Sequence, residues 1–204
     1  MTNSIAELAE AKLILAVGTN TTETHPVLAL RVKEAVRQGA ELIVADPRRI
    51  ELTDLATRWL PLRIGTDTAL FNAMARVIIE EGLESRDFIE RHTEGFEEFR
   101  SSVQEFTLER AEEITGVPAE EIAAAAREYA TTKPAAIIYT MGITQHTCGV
   151  QNVQSVSNLA LLCGNFGLPS SGVNPLRGQN NVQGACDMGC LPDVLPAYQK
   201  VALP

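Results

Sequence analysis

The chain has 204 residues and a formal net charge of -9 at pH 7, with 45% of its residues apolar and 21% charged. That length allows one medium domain, or one domain with part of a second, and the apolar fraction fills a core and excludes bulk disorder. The negative balance, with no basic run of five or more residues, excludes a nucleic-acid-binding surface, and no stretch of 18 apolar residues is present to insert into a membrane.

Met1 to Glu7 lacks the charged and apolar regions of a signal peptide. Cys148, Cys163, Cys186 and Cys190 form no Cys-x-x-Cys pair, and no histidine pair at metal spacing lies nearby. Dispersed free thiols, no metal ligands and a reducing, cytoplasmic setting are the expectation.

Leu13-Ile14-Leu15-Ala16-Val17 is a continuous apolar run closing on Gly18, the pattern of a strand buried on both faces. A polar turn from Thr19 to His25 follows. Pro26 then opens a helix whose apolar face is expected at Val27, Leu30, Ala35 and Val36, with Gly39 as its stop. Leu42-Ile43-Val44-Ala45 is the second strand and ends at Asp46, completing a βαβ unit. Trp59 to Ile64 reads as a short third strand ending at Gly65. Asp67 or Thr66 is placed to cap the next helix, with Leu70, Met74, Val77 and Ile78 as its stripe. The stretch from Arg86 to Ala130 is helical and acidic, with Pro118 opening its last helix. Ala135 to Tyr139 is the fourth strand, and a helix from about Val150 to Leu162 stops at Gly164-Asn165-Phe166-Gly167. This alternation predicts a doubly wound α/β domain with a mostly parallel, Rossmann-like sheet over residues 1–173. Residues 174–204 read as the lead into a further domain.

In an open parallel sheet, ligands bind beyond the carboxyl ends of the strands. Each predicted end carries suitable residues: Gly18-Thr19-Asn20, Asp46-Pro47-Arg48, Gly65-Thr66-Asp67 and Met141-Gly142. Gly18 permits close backbone approach, and the loop to Thr24 offers hydroxyls and amides. Asp67 suits the amino and imino groups of a guanine, while Arg48 suits a phosphate or a base face. No Gly-x-Gly-x-x-Gly follows the first strand, so an ordinary nicotinamide site is not indicated. His25 reads as a helix-entry residue, and His92 and His146 as surface or capping histidines.

Asn174 to Gly189 is the most distinctive stretch, with an arginine, several amides and glycines, and little apolar periodicity. Its planar amides and guanidinium suit a large polar anion. Arg177-Gly178-Gln179-Asn180-Asn181-Val182-Gln183-Gly184 resembles the active-site segment of molybdenum- or tungsten-dependent formate dehydrogenases, in their catalytic subunit. The resemblance extends along the chain through Ala45-Asp46-Pro47-Arg48-Arg49-Ile50-Glu51, Tyr139 to Gln145, and Leu161-Leu162-Cys163-Gly164-Asn165-Phe166-Gly167. Related nitrate reductases resemble a Gly-Gln-x-Asn-x-Met-Gly pattern in that loop instead.

The resemblance implies a bis-molybdopterin guanine dinucleotide (bis-MGD) cofactor carrying Mo or W. Its guanosine end would be held by Gly18, Asn20, Thr24, Asp46, Arg48, Gly65 and Asp67. It places Met141, Gly142 and Gln145 alongside the cofactor, Gly178, Gln179 and Asn180 at the pterin, and Arg177 as the catalytic residue that orients formate. It also implies an internal piece of the subunit, inactive alone. The metal ligand and a 4Fe-4S cluster would lie in a missing N-terminal part, and electron-transfer subunits or domains would be partners. Two alternatives stay open: another bis-pterin oxidoreductase such as a nitrate reductase, and a stand-alone nucleotide-binding module.

Overall fold

The computed structural model describes residues 1–201. Five parallel strands form the main sheet: β1 (Leu13–Val17), β2 (Glu41–Ala45), β3 (Arg58–Leu60), β4 (Ala135–Tyr139) and β5 (Gly172–Pro175), in the order β3-β2-β1-β4-β5. Their registers put Leu60, Ala45, Val17, Tyr139 and Pro175 in one row, so all five strands end flush at one edge.

Helices α1 (Thr21–Thr24) and α2 (Pro26–Arg37) join β1 to β2. A 3-10 turn at Glu51–Asp54 leads to β3. Between β3 and β4 come α3 (Asp67–Glu80), α4 (Arg86–His92), α5 (Phe96–Ser102), α6 (Leu108–Thr115) and α7 (Ala119–Thr131). Then α8 (Met141–Thr144) and α9 (Gly149–Leu162) lead to β5. Beyond the sheet lie α10 (Val182–Asp187) and an antiparallel pair, β6 (Val194–Leu195) with β7 (Gln199–Lys200).

Alternate residues of each strand feed two cores, as strand geometry requires. Leu13, Leu15, Val17, Ile43 and Ile137 pack with Phe71, Met74, Ile122 and Leu159 from α3, α7 and α9. Ile14, Ala16, Leu42, Val44 and Ile138 pack on the other face with Leu28, Val32 and Ala35 of α2. Each such large side chain contributes roughly 1.5–3 kcal/mol on burial. With both faces covered, the sheet is the doubly wound α/β arrangement expected.

Several local expectations differ. The buried face of α2 is Leu28, Ala29, Val32 and Ala35, whereas Val27 and Leu30 are 75% and 61% exposed. Neither Thr66 nor Asp67 caps α3 through its side chain: Thr66 occupies the cap position but its hydroxyl donates back to the Arg63 carbonyl at 2.6 Å, and Asp67 is the first helical residue. The third strand stops at Leu60, and residues 61–66 turn away towards α3. The fifth strand runs across the division expected at residue 173, with Asn174 and Pro175 paired to Ile138 and Tyr139. Its Gly, Asn and Pro are tolerated because it is an edge strand.

Candidate functional site

The chain runs from β1 outwards through β2 and β3, then returns to the opposite side of β1 as β4 and β5. Loops leaving β1 and β4 therefore part in opposite directions, which opens a crevice beyond the strand ends. Gly18, after β1, and Gly142, after β4, meet there. The Gly142 N–H donates to the Gly18 carbonyl oxygen at 3.1 Å, and Thr140 Oγ1 donates to the same oxygen at 2.7 Å. Two clefts open beside this contact and share Thr140.

The first cleft has a volume of ≈ 300 Å³. It gathers Gly18, Asn20 and Thr24 from the β1 loop, Asp46 and Arg48 from the β2 loop, and Gly65 and Asp67 from the turn into α3. Gly142 closes it from the β4 side. Its size is at the lower end for ligand pockets, suited to a nucleoside rather than a whole dinucleotide.

Asp46 and Asp67 are each 5% exposed. Asp46 Oδ1 accepts the Arg48 N–H at 2.9 Å and the Asp46 carbonyl accepts Trp59 Nε1–H at 2.8 Å, so Asp46 closes its own turn while facing the cleft. Burial pushes the Asp67 carboxyl above its ordinary value; its own N–H and nearby His146 oppose this, and Asp46 adds to it. Among the described residues no side chain donates to Asp67, and Arg48 makes no ion pair. A buried acceptor and an uncompensated guanidinium in one cavity fit a ligand with N–H donors and negative charge.

The second cleft, ≈ 550 Å³, gathers Met141, Gln145, Arg177, Gly178 and Gln179. Leu176 N–H donates to the Tyr139 carbonyl at 2.9 Å, which extends the β4–β5 pairing to the residue before the arginine. Arg177 is exposed and makes no ion pair among the described residues, and its charge acts on Tyr139, whose phenol burial pushes up. Met141 is half-exposed at the start of α8. Asn180 lies on the exposed stretch and lines neither cleft.

Some lining residues lack a local signal. Arg63 walls the first cleft and donates from Nη1 to the Glu113 and Ile114 carbonyls at 2.5 and 3.2 Å. His146 also faces this cleft, with Nε2 2.8 Å from the Gly142 carbonyl. His25 reaches the Arg177 carbonyl. Among the described residues no group of three or more His, Cys, Asp or Glu is placed to hold a metal, and all four cysteines are free.

Residues 1–203 match the family described as Molybdopterin oxidoreductase. The chain is 51% identical over 204 residues to formate dehydrogenase H of Escherichia coli, covering 100% of this chain and 28% of that protein. It is 48% identical over 201 residues to the F420-dependent formate dehydrogenase 2 subunit alpha of Methanococcus maripaludis, covering 98% of this chain and 30% of that one. Among solved structures, acetylene hydratase from Pelobacter acetylenicus has a TM-score of 0.74 at 34% identity, over 80% of this chain and 24% of that chain. The chain thus spans less than a third of the length of these relatives. The chain is similar to a hydratase as well as to dehydrogenases, so the fold alone does not fix the reaction. By its sequence over residues 1–203 and its strand-end architecture, the chain belongs to the molybdopterin oxidoreductase family.

Proposed function

We propose that this chain is the part of a formate dehydrogenase catalytic subunit that holds one end of a bis-molybdopterin guanine dinucleotide and presents Arg177 to formate. The observation that carries the reading is the convergence of Arg177, Met141 and Gln145 in one cleft, beside a nucleoside-sized cleft containing Asp46, Arg48 and Asp67. The relatives named formate dehydrogenases support the substrate assignment.

In the first cleft, Asp67 accepts hydrogen bonds from guanine N–H groups, Asp46 from a ribose hydroxyl, and Arg48 neutralises phosphate or stacks on the base. Gly18 and Gly65 leave room for the ligand, with Asn20 and Thr24 as polar contacts. In the second cleft, Gln145, Gly178, Gln179 and neighbouring Asn180 would hold the pterin with Met141, and Gly142 would meet the cofactor from the first cleft. Arg177 bonds both oxygens of formate and aims its C–H bond. When bound, the bis-pterin Mo or W group supplies the two-electron redox chemistry. The metal ligand, a 4Fe-4S cluster and the contacts to electron-transfer partners are assigned to other parts of the complete subunit. The free thiols support a reducing, cytoplasmic setting.

The test uses the complete subunit. Arg177→Lys keeps the charge and loses the bidentate fork, so formate turnover is expected to fall by about tenfold or more while metal and pterin contents hold. Equal loss of turnover and cofactor would assign Arg177 to structure, and turnover of nitrate in place of formate would overturn the substrate. The 204-residue chain by itself is expected to be inactive, and formate-to-dye electron transfer by it alone would contradict that.

A further inference from the structure

His25 stands at the junction of α1 and α2, and its backbone alone makes that junction. Its N–H donates to the Thr21 carbonyl and its carbonyl accepts the Ala29 N–H, both at 2.9 Å. Helix entry therefore does not require the imidazole. The ring instead crosses to the arginine segment: Nε2 lies 2.7 Å from the carbonyl oxygen of Arg177, and Nδ1 lies 2.8 Å from Thr24 Oγ1.

A carbonyl oxygen has no proton to give, so Nε2 carries the hydrogen and donates it. Nδ1 then has two states. It accepts the Thr24 hydroxyl proton in the neutral ring, or it donates to Thr24 in the imidazolium, with the hydroxyl then donating to the Asn20 carbonyl at 2.9 Å. The bond to Arg177 is made in both states. Only the neutral tautomer with its proton on Nδ1 would lose it, and that form would set two lone pairs face to face.

The surroundings give this bond its weight. The Arg177 carbonyl has the His25 ring as its hydrogen-bond partner, 152 residues away in sequence. One residue earlier, Leu176 N–H is tied to Tyr139. The arginine is thus held on one side by the sheet and on the other by the imidazole. Among the described residues its guanidinium has no ion-pair partner to aim it, so the direction of the side chain is inherited from this backbone. We propose that His25 is a positioning residue for Arg177, fixing the carbonyl of the arginine so that its guanidinium meets a small carboxylate in the second cleft. This rests on the proposed role of Arg177 in binding formate.

The test compares His25→Gln, whose amide N–H still reaches the carbonyl, with His25→Phe, which fills the ring's space without a donor, in the cofactor-loaded complete subunit. His25→Phe is expected to raise the formate KM about fivefold or more, the worth of one hydrogen bond, with a smaller change in kcat. His25→Gln is expected to restore most of the affinity, and metal and pterin contents are expected to hold in both. A readout free of formate is hydrogen exchange at the Leu176 amide, expected about fivefold faster in His25→Phe and near wild type in His25→Gln. Unchanged Leu176 exchange in His25→Phe, or faster exchange with an unchanged formate KM, would overturn the proposal. Equal loss of formate affinity in both variants, with loss of metal, would make His25 structural and overturn it as well. An enzyme that does not oxidise formate at all would sink the substrate assignment, while the exchange comparison still reads the link from His25 to Arg177.

Discussion

Gly18 and Gly142 touch so closely that a Cβ placed on Gly142 would lie 2.4 Å from the Gly18 carbonyl oxygen, and one placed on Gly18 would lie 2.8 Å from the Gly142 carbonyl carbon. Gly18 also has φ +51, where side chains are disfavoured. The contact joins the loops after β1 and β4 and floors the crevice between them. Gly142→Ala is expected to cost about 2 kcal/mol or more, because backbone on both sides must move. Gly65, with φ +81 and nothing within 4 Å of its added Cβ, is the comparison. Its replacement by Ala is expected to cost about 1 kcal/mol from backbone strain alone. Urea unfolding of the two variants ranks them, and a Gly142→Ala no worse than Gly65→Ala contradicts the contact.

Asp67 makes a pH-dependent contribution whose sign is set by burial. Its folded-state carboxyl is raised above the ordinary 3.8. The stability it contributes is therefore fully present below 3.8 and is lost as pH rises through the folded value. Asp67→Asn removes this loss, so the ligand-free variant is expected to be more stable than wild type at pH 7. The gap should shrink as pH falls towards 4. The same change removes an acceptor for guanine N–H groups and is expected to weaken nucleotide retention. Denaturation curves across that pH range, beside nucleotide content, check both halves.

Arg58 on β3 clamps α7 through two unequal partners. Its Nε and Nη2 donate to Glu128 at 3.0 and 2.5 Å, and Nη1 bonds Glu121. The Glu128 side chain is 29% exposed and that of Glu121 39%. Glu128→Ala is expected to cost about 1–2 kcal/mol, with the paired geometry lost and solvent screening allowed for, and Glu121→Ala less than about 1 kcal/mol. Thermal unfolding of the two single variants measures the order, and the reverse order would be inconsistent with this geometry.

Thiol reactivity divides by burial. Cys163 is buried and its thiol is pushed up to about 12, chiefly by desolvation, with Lys133 opposing. Cys190 is exposed. At pH 8, iodoacetamide is expected to label Cys190 first and Cys163 only on unfolding, since the thiolate is the nucleophile. Fragment-ion mass spectrometry of the tryptic peptides locates the label, since Cys163 shares its peptide with Cys148 and Cys190 shares its own with Cys186, and early labelling of Cys163 in the native protein would contradict its placement.

Four of the five main strands are legible because each is an apolar run broken by a polar tip, a pattern local in sequence. In a parallel sheet, local tips become spatial neighbours, so Gly18, Asp46 and Asp67 can be grouped from the sequence alone. The strand Gly172–Pro175 escapes that logic because its Gly, Asn and Pro read as a turn, and only its edge position admits them. The inner face of α2 is misread for a different reason. Val27 and Leu30 have helical spacing too, and only packing against β1 and β2 selects Leu28 and Val32. His25 is the clearest loss: its partner is 152 residues away, and a histidine before a proline carries no sign of such a partner.

The flush row from Leu60 to Pro175 has a consequence for how errors propagate across the molecule. The Arg177 segment is polar and exposed, yet the Leu176 amide before it hangs from Tyr139, which stands in register with Val17 beneath two packed cores. A volume change at Val17 or Ile137 would thus tilt the row and displace the arginine without touching any cleft residue. Variation confined to the opposite, amino-terminal edge of the sheet would leave that alignment alone.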